Sequence, residues 1–170
     1  HMGMMATVMN ALAMREALGA RGIEARVFTG LAMPTVADGF TQRDALAAFA
    51  RDRVVLFAGG LGTPFLTTDT TAAMRASEMR CDAILKATNV DGVYTADPKK
   101  DPTATRFDRL TFDEAIRRDL KVLDTAAFAL ARDNGIPIIV FSAQEPGALI
   151  DVLKGEAVAT VVAGRDSRGG

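Results

Sequence analysis

The chain has 170 residues, 49% of them hydrophobic and 24% charged, enough to bury one sizeable core in a single domain. Lysine and arginine number 20 against 21 aspartates and glutamates, so no basic field marks a nucleic-acid binder, and no apolar run is long enough for a membrane span. A single cysteine, Cys81, excludes an internal disulfide framework and fits a reducing, cytoplasmic compartment. The opening His1-Met2-Gly3-Met4 lacks the basic and then apolar order of a signal peptide.

Residues 5–18 carry apolar side chains at helical spacing and end at Gly19 and Gly22, after which residues 24–28 read as a strand. Thr41 caps a predicted helix over 42–50, and 53–58 is a strand that runs into Gly59-Gly60-Leu61-Gly62-Thr63-Pro64. Thr67, Thr68, Asp69 and Thr70 are capping candidates for a helix over 71–79, and a short strand over 83–86 leads into a polar loop that ends at Pro98. Thr111-Phe112-Asp113-Glu114 has the form of a capping box that opens a short helix. A helix over 124–133 stops at Asn134-Gly135, and 137–141 is the next strand. Pro146 starts a helix to residue 153, and 159–162 closes the series. Apolar strands alternating with helices predict an α/β fold, a mostly parallel sheet with helices on both faces. The expected organisation is one domain over 1–163 and a flexible polar tail over 164–170.

Two loops carry the chemistry. In the first, glycines let the backbone approach a ligand, and Thr67, Thr68, Asp69 and Thr70 stand at a helix start, where amides, hydroxyls and the helix dipole can converge on a phosphate. It is neither a Walker A motif nor a Gly-x-Gly-x-x-Gly fingerprint, and a tight strand-to-helix turn with ordinary caps accounts for the pattern equally well. Asp69 is equally readable as a helix N-terminal carboxylate. In the second loop, Tyr94 can stack on a base, Thr88 and Asn89 can bond its edge or a ribose, and Asp97 can accept a ribose hydroxyl. The plainer alternative makes Tyr94 a packed ring, Asp91-Gly92 a turn and Asp97 a local cap. Asp124 reads as a cap, Cys81 as a small core residue, and the methionines near the start as core or interface filler.

Gly59-Gly60-Leu61-Gly62-Thr63-Pro64-Phe65-Leu66-Thr67-Thr68-Asp69-Thr70, followed by Lys86-Ala87-Thr88-Asn89-Val90-Asp91-Gly92-Val93-Tyr94-Thr95-Ala96-Asp97-Pro98, resembles the bacterial uridylate (UMP) kinases of the amino acid kinase family. The similarity continues through Lys99-Lys100-Asp101-Pro102-Thr103-Ala104, Leu123-Asp124-Thr125-Ala126-Ala127-Phe128 and Pro146-Gly147-Ala148-Leu149. It also covers His1-Met2-Gly3-Met4, which favours a native His1 over a tag remnant. The resemblance implies transfer of the terminal phosphoryl group of ATP to UMP, giving UDP, with Mg2+ as the metal and no protein metal ligands assigned. It implies that Leu61, Gly62, Thr63, Pro64, Phe65, Leu66, Thr67 and Thr68 line the UMP site. Asp69 organises the catalytic centre, and Thr88, Asn89, Tyr94 and Asp97 hold ATP. It further implies a homo-oligomer, a hexamer in the family, regulated by GTP and UTP.

Two departures qualify these expectations. A strand with Lys and Ser-Gly, a Gly-Gly-Gly-Asn loop with its Arg, and an acceptor-binding Asp before the His-Met are not in this sequence, which resembles the C-terminal two-thirds of such an enzyme and is expected to catalyse poorly alone. Leu61 and Thr63 stand where the family commonly has Thr and Asn, which removes polar reach from the acceptor loop. The competing expectations are a related kinase acting on a carboxylate or carbamate, and a nucleotide-binding regulatory module without turnover.

Overall fold

The computed structural model describes residues 1–120 and 122–164; Lys121 and residues 165–170, most of the tail expected to be flexible, lie outside the described residues. The chain forms two units, His1–Thr71 and Ala72–Gly170, each with its own sheet and hydrophobic cluster.

In the first unit, helix α1 (Met2–Gly19) precedes strand β1 (Ala25–Thr29), the short strand β2 (Asp38–Gly39), helix α2 (Gln42–Phe49) and strand β3 (Val54–Ala58). Helix α2 begins where the sequence places it, because the Thr41 hydroxyl accepts from the Asp44 amide at 3.1 Å. The strands lie in the order β2-β1-β3, all parallel. Val27 and Ala58 of the sheet pack with Val8 of α1 and with Ala37. The register pairs Thr29 with Ala58, so β1 and β3 end level and the chain leaves both at the carboxyl end of the sheet.

Helix α3 (Thr68–Glu78) starts at the end of the first unit and continues into the second. Strand β4 (Ile84–Thr88), strands β5 (Val93–Tyr94), β6 (Arg106–Phe107) and β7 (Arg109–Thr111), helices α4 (Phe112–Arg117) and α5 (Thr125–Asp133), strand β8 (Ile138–Ser142), helix α6 (Ala148–Lys154) and strand β9 (Ala159–Ala163) follow. The sheet order is β4-β8-β9-β7, with β4 and β8 parallel, β7 and β9 parallel, and β8 and β9 antiparallel. The α/β class with mostly parallel strands is thus the observed one. Ile138, Val140 and Val162, wholly buried, pack with Phe112, Phe128 and Ala131 from the helices.

The sequence reading needs correction at three helix starts: the helix expected from residue 5 already begins at Met2, the Met5 amide donating to the His1 carbonyl at 2.9 Å. The helix expected from residue 71 begins at Thr68, because the Thr67 hydroxyl accepts from the Thr70 amide at 3.2 Å and so takes the cap. The helix expected from Pro146 begins at Ala148, because Gly147 has a left-handed φ of 87° that cannot lie inside a helix. Strands β2, β5, β6 and β7 have only two or three residues each, too few to show a period in the sequence.

Candidate functional site

The first loop is built on backbone packing. Gly59, Gly60 and Gly62 all have positive φ, and a Cβ on Gly62 would run into the Gly30 carbonyl. A Cβ on Gly30 would in turn lie 2.5 Å from the Gly60 oxygen and 2.7 Å from the Gly62 nitrogen. The loops that follow β1 and β3 therefore touch main chain to main chain, which only glycine permits. On the other side, the Gly59 amide donates to Thr7 Oγ1 of α1 at 2.9 Å. Gly30 and Thr7 support the loop, yet the sequence reading missed both. Gly30, two residues past the expected strand, was the available signal; Thr7 had none.

From this base the chain passes Thr63, Pro64, Phe65, Leu66, Thr67 and Thr68, all exposed, while Leu61, Gly62 and Asp69 are half-buried. Phe65 is fully exposed with a φ of 72°, a strained position for a bulky residue. The Thr67 oxygen caps α3, its carbonyl accepts from the Thr71 amide at 3.1 Å, and the helix dipole adds positive potential in its first turn, beside Thr68 and Asp69. The arrangement can bind a phosphate with amides and hydroxyls and no buried charge.

The second loop leaves β4 in the second unit. Thr88 closes that strand, its carbonyl accepting from the Ala143 amide at 2.8 Å and its hydroxyl from the Val90 amide at 3.3 Å. Asn89 is exposed. Gly92 and Val93 are buried, which presents the half-buried Tyr94 at the end of β5. Its hydroxyl donates to Asp91 Oδ1 at 2.7 Å, and that bond, then desolvation, raises the tyrosine above its ordinary pKa. Asp97 accepts from the Lys99 amide at 3.0 Å, as the local-cap alternative expects, and its other oxygen lies 3.9 Å from Lys100 Nζ. Thr88, Asn89, Tyr94 and Asp97 thus belong to one short segment between β4 and β6, and the Asp91 carboxylate under Tyr94 is the group that segment adds.

The remaining candidates resolve as structural groups. Asp124 caps α5, accepting from the Ala127 amide at 2.8 Å. Thr111 and Glu114 form both halves of the expected capping box. Cys81 packs against the core of the second unit, and burial pushes its thiol above the ordinary value. Among the described residues no group of three or more His, Cys, Asp or Glu could hold a metal, and no helix is long and apolar enough to cross a membrane.

Residues 1–142 match the family model described as the amino acid kinase family. A uridylate kinase of Azorhizobium caulinodans is 57% identical over 162 residues, covering 95% of this chain and 68% of that protein. One from Rhodopseudomonas palustris is 58% identical over 163 residues, 96% of this chain and again 68% of its own length. Among solved structures, the UMP kinase of Ureaplasma parvum superposes with a TM-score of 0.92 at 37% identity, covering 95% of this chain and 69% of its own. The UMP kinase of Bacillus anthracis superposes with a TM-score of 0.93, also at 37% identity, over 96% of this chain and 68% of its own.

Proposed function

The chain belongs to the amino acid kinase family, and from that premise we propose that it serves a UMP kinase, moving the terminal phosphoryl group of ATP to UMP to give UDP. The observation that carries the reading is the loop of residues 59–70. In a chain 57% identical to a uridylate kinase, glycine main chain and exposed threonines run into the capped start of α3.

In this reading the residues from Leu61 to Thr68 line the UMP site. The hydroxyls of Thr67 and Thr68 and the first-turn amides of α3 hold the acceptor phosphate, where the helix dipole favours negative charge. The Phe65 ring and Leu66 shield the nucleoside from water. Asp69 organises the centre at which the UMP oxygen attacks. The Tyr94 ring stacks on the adenine, Thr88 and Asn89 bond the base edge or ribose, and Asp97 accepts a ribose hydroxyl through lone pairs its local cap leaves open. Phosphoryl transfer asks chiefly for alignment and charge neutralisation, which such a set of donors provides without a covalent intermediate. Magnesium, when bound, would supply part of that neutralisation. Asp69, in the first turn of α3, would be the carboxylate offered to such an ion.

Residues 1–163 are taken as one partial amino acid kinase-like domain, in a cytoplasmic homo-oligomer, hexameric as the family resemblance implies. For regulation by GTP or UTP, the place with most cationic side chains is a cleft in the first unit lined by Arg15, Arg26 and Arg53 together with Glu16 and Glu24. Each arginine there already faces one carboxylate, Glu16, Asp38 and Glu24 respectively, which an effector would displace.

Calorimetric titration tests the assignment. UMP and ATP are each expected to bind one to one. Thr67→Val with Thr68→Val is expected to weaken UMP at least tenfold and leave ATP alone, and Tyr94→Ala the reverse. UMP affinity unmoved by the threonine pair would overturn the acceptor site.

A further inference from the structure

We propose that Arg106 is a positioning residue for Tyr94, locking the ring through the Asp91 carboxylate so that it stands ready for the base of the donor nucleotide. The inference rests on the ATP reading of the Tyr94 loop and adds a residue outside it. Tyr94 and Arg106 face each other in the antiparallel ladder of β5 and β6, a placement at which cross-strand side chains interact. While the Tyr94 hydroxyl donates to Asp91 Oδ1 at 2.7 Å, Arg106 Nε lies 3.7 Å from Asp91 Oδ2. The other two guanidinium nitrogens reach different segments. Nη1 donates to the Ala159 carbonyl at 2.7 Å, and Nη2 lies 2.9 Å from Asp108 Oδ1.

One planar fork therefore ties the loop before β5, the start of β9 and the residue after β6, which a lysine, a single point charge, cannot do. The arginine side chain is only 24% exposed, and its stem passes over Gly92, where a Cβ would stand 2.8 Å from Cδ. Thr160, fully buried on β9, accepts from the Val93 amide at 2.8 Å and donates to the Phe107 carbonyl, pinning the same two strands. A two-residue ladder has little stability of its own, so the ring's orientation depends on these ties.

Tyr94 is the only tyrosine and the chain has no tryptophan, so intrinsic fluorescence reports this one ring. Fluorescence anisotropy of Tyr94 without nucleotide, with calorimetric ATP and UMP affinities, is to be compared for the wild-type chain, Arg106→Met, Arg106→Lys and Asp91→Ala. Both arginine variants are expected to free the ring and to weaken ATP about tenfold, with UMP unchanged; Asp91→Ala, which removes the acceptor of the Tyr94 hydroxyl, is expected to free the ring while sparing the Arg106 bond to Ala159. A ring as rigid as wild type in folded Arg106→Met and Arg106→Lys overturns the proposal, and so does full ATP affinity despite a mobile ring. If Arg106→Met does not fold, Arg106→Lys and Asp91→Ala decide. If the wild-type chain binds no ATP, the donor-site reading fails, and the anisotropy still decides whether Arg106 positions Tyr94.

Discussion

Tyr94 shows how much one hydrogen bond can set. Its bond to Asp91 favours the protonated phenol, so its stabilising effect is present below the ordinary tyrosine range and is lost as pH rises through the raised folded-state value. An alkaline absorbance titration of this single tyrosine should show ionisation above its ordinary value of 10.0, and Asp91→Asn should bring it down. A wild-type titration at the ordinary value would mean that the bond is not held in solution. Leu61 and Thr63 bear on the acceptor. Restoring polar reach with Leu61→Thr and Thr63→Asn is expected to tighten UMP about threefold to tenfold by calorimetry, the worth of one net hydrogen bond. The residues legible in the sequence were those whose partners lie close along the chain, such as the caps Thr41, Thr111 and Asp124. Thr7, which bonds Gly59 52 residues away, and Thr160, which bonds Val93 67 residues away, left no local pattern to find.

At the level of elements, the loop after β3 depends on the turn after β1. Gly30→Ala would push a methyl group into the main chain of Gly60 and Gly62, so the loop must move. The expected outcome is a loss of about 1–3 kcal/mol in denaturant unfolding together with weakened UMP binding. Wild-type UMP affinity in that variant would show that the shape of the glycine loop does not matter for the acceptor. Helix α4 offers a comparison away from the site. Thr111→Ala removes a capping box and is expected to cost about 1 kcal/mol without altering either nucleotide's affinity. The bonds from Thr111 lower the Glu114 pKa, so that stabilisation is present above the ordinary glutamate range and is lost as pH falls through the depressed value. Main elements were readable because their apolar runs are long. The helix start at Thr68 was set by one hydroxyl, and the two-residue strands by long-range pairing, neither of which a periodic pattern records.

For the molecule as a whole, the chain spans 68% of the length of the uridylate kinase of Azorhizobium caulinodans that it matches. Nucleotide recognition itself is tested most directly by thermal unfolding of the chain with UMP, with ATP and with an acidic amino acid. UMP and ATP are each expected to raise the melting temperature, by about 2.7 kcal/mol of added stability at a hundredfold excess over Kd, and the amino acid to leave it unchanged. A rise with the amino acid alone, or with neither nucleotide, would contradict the account.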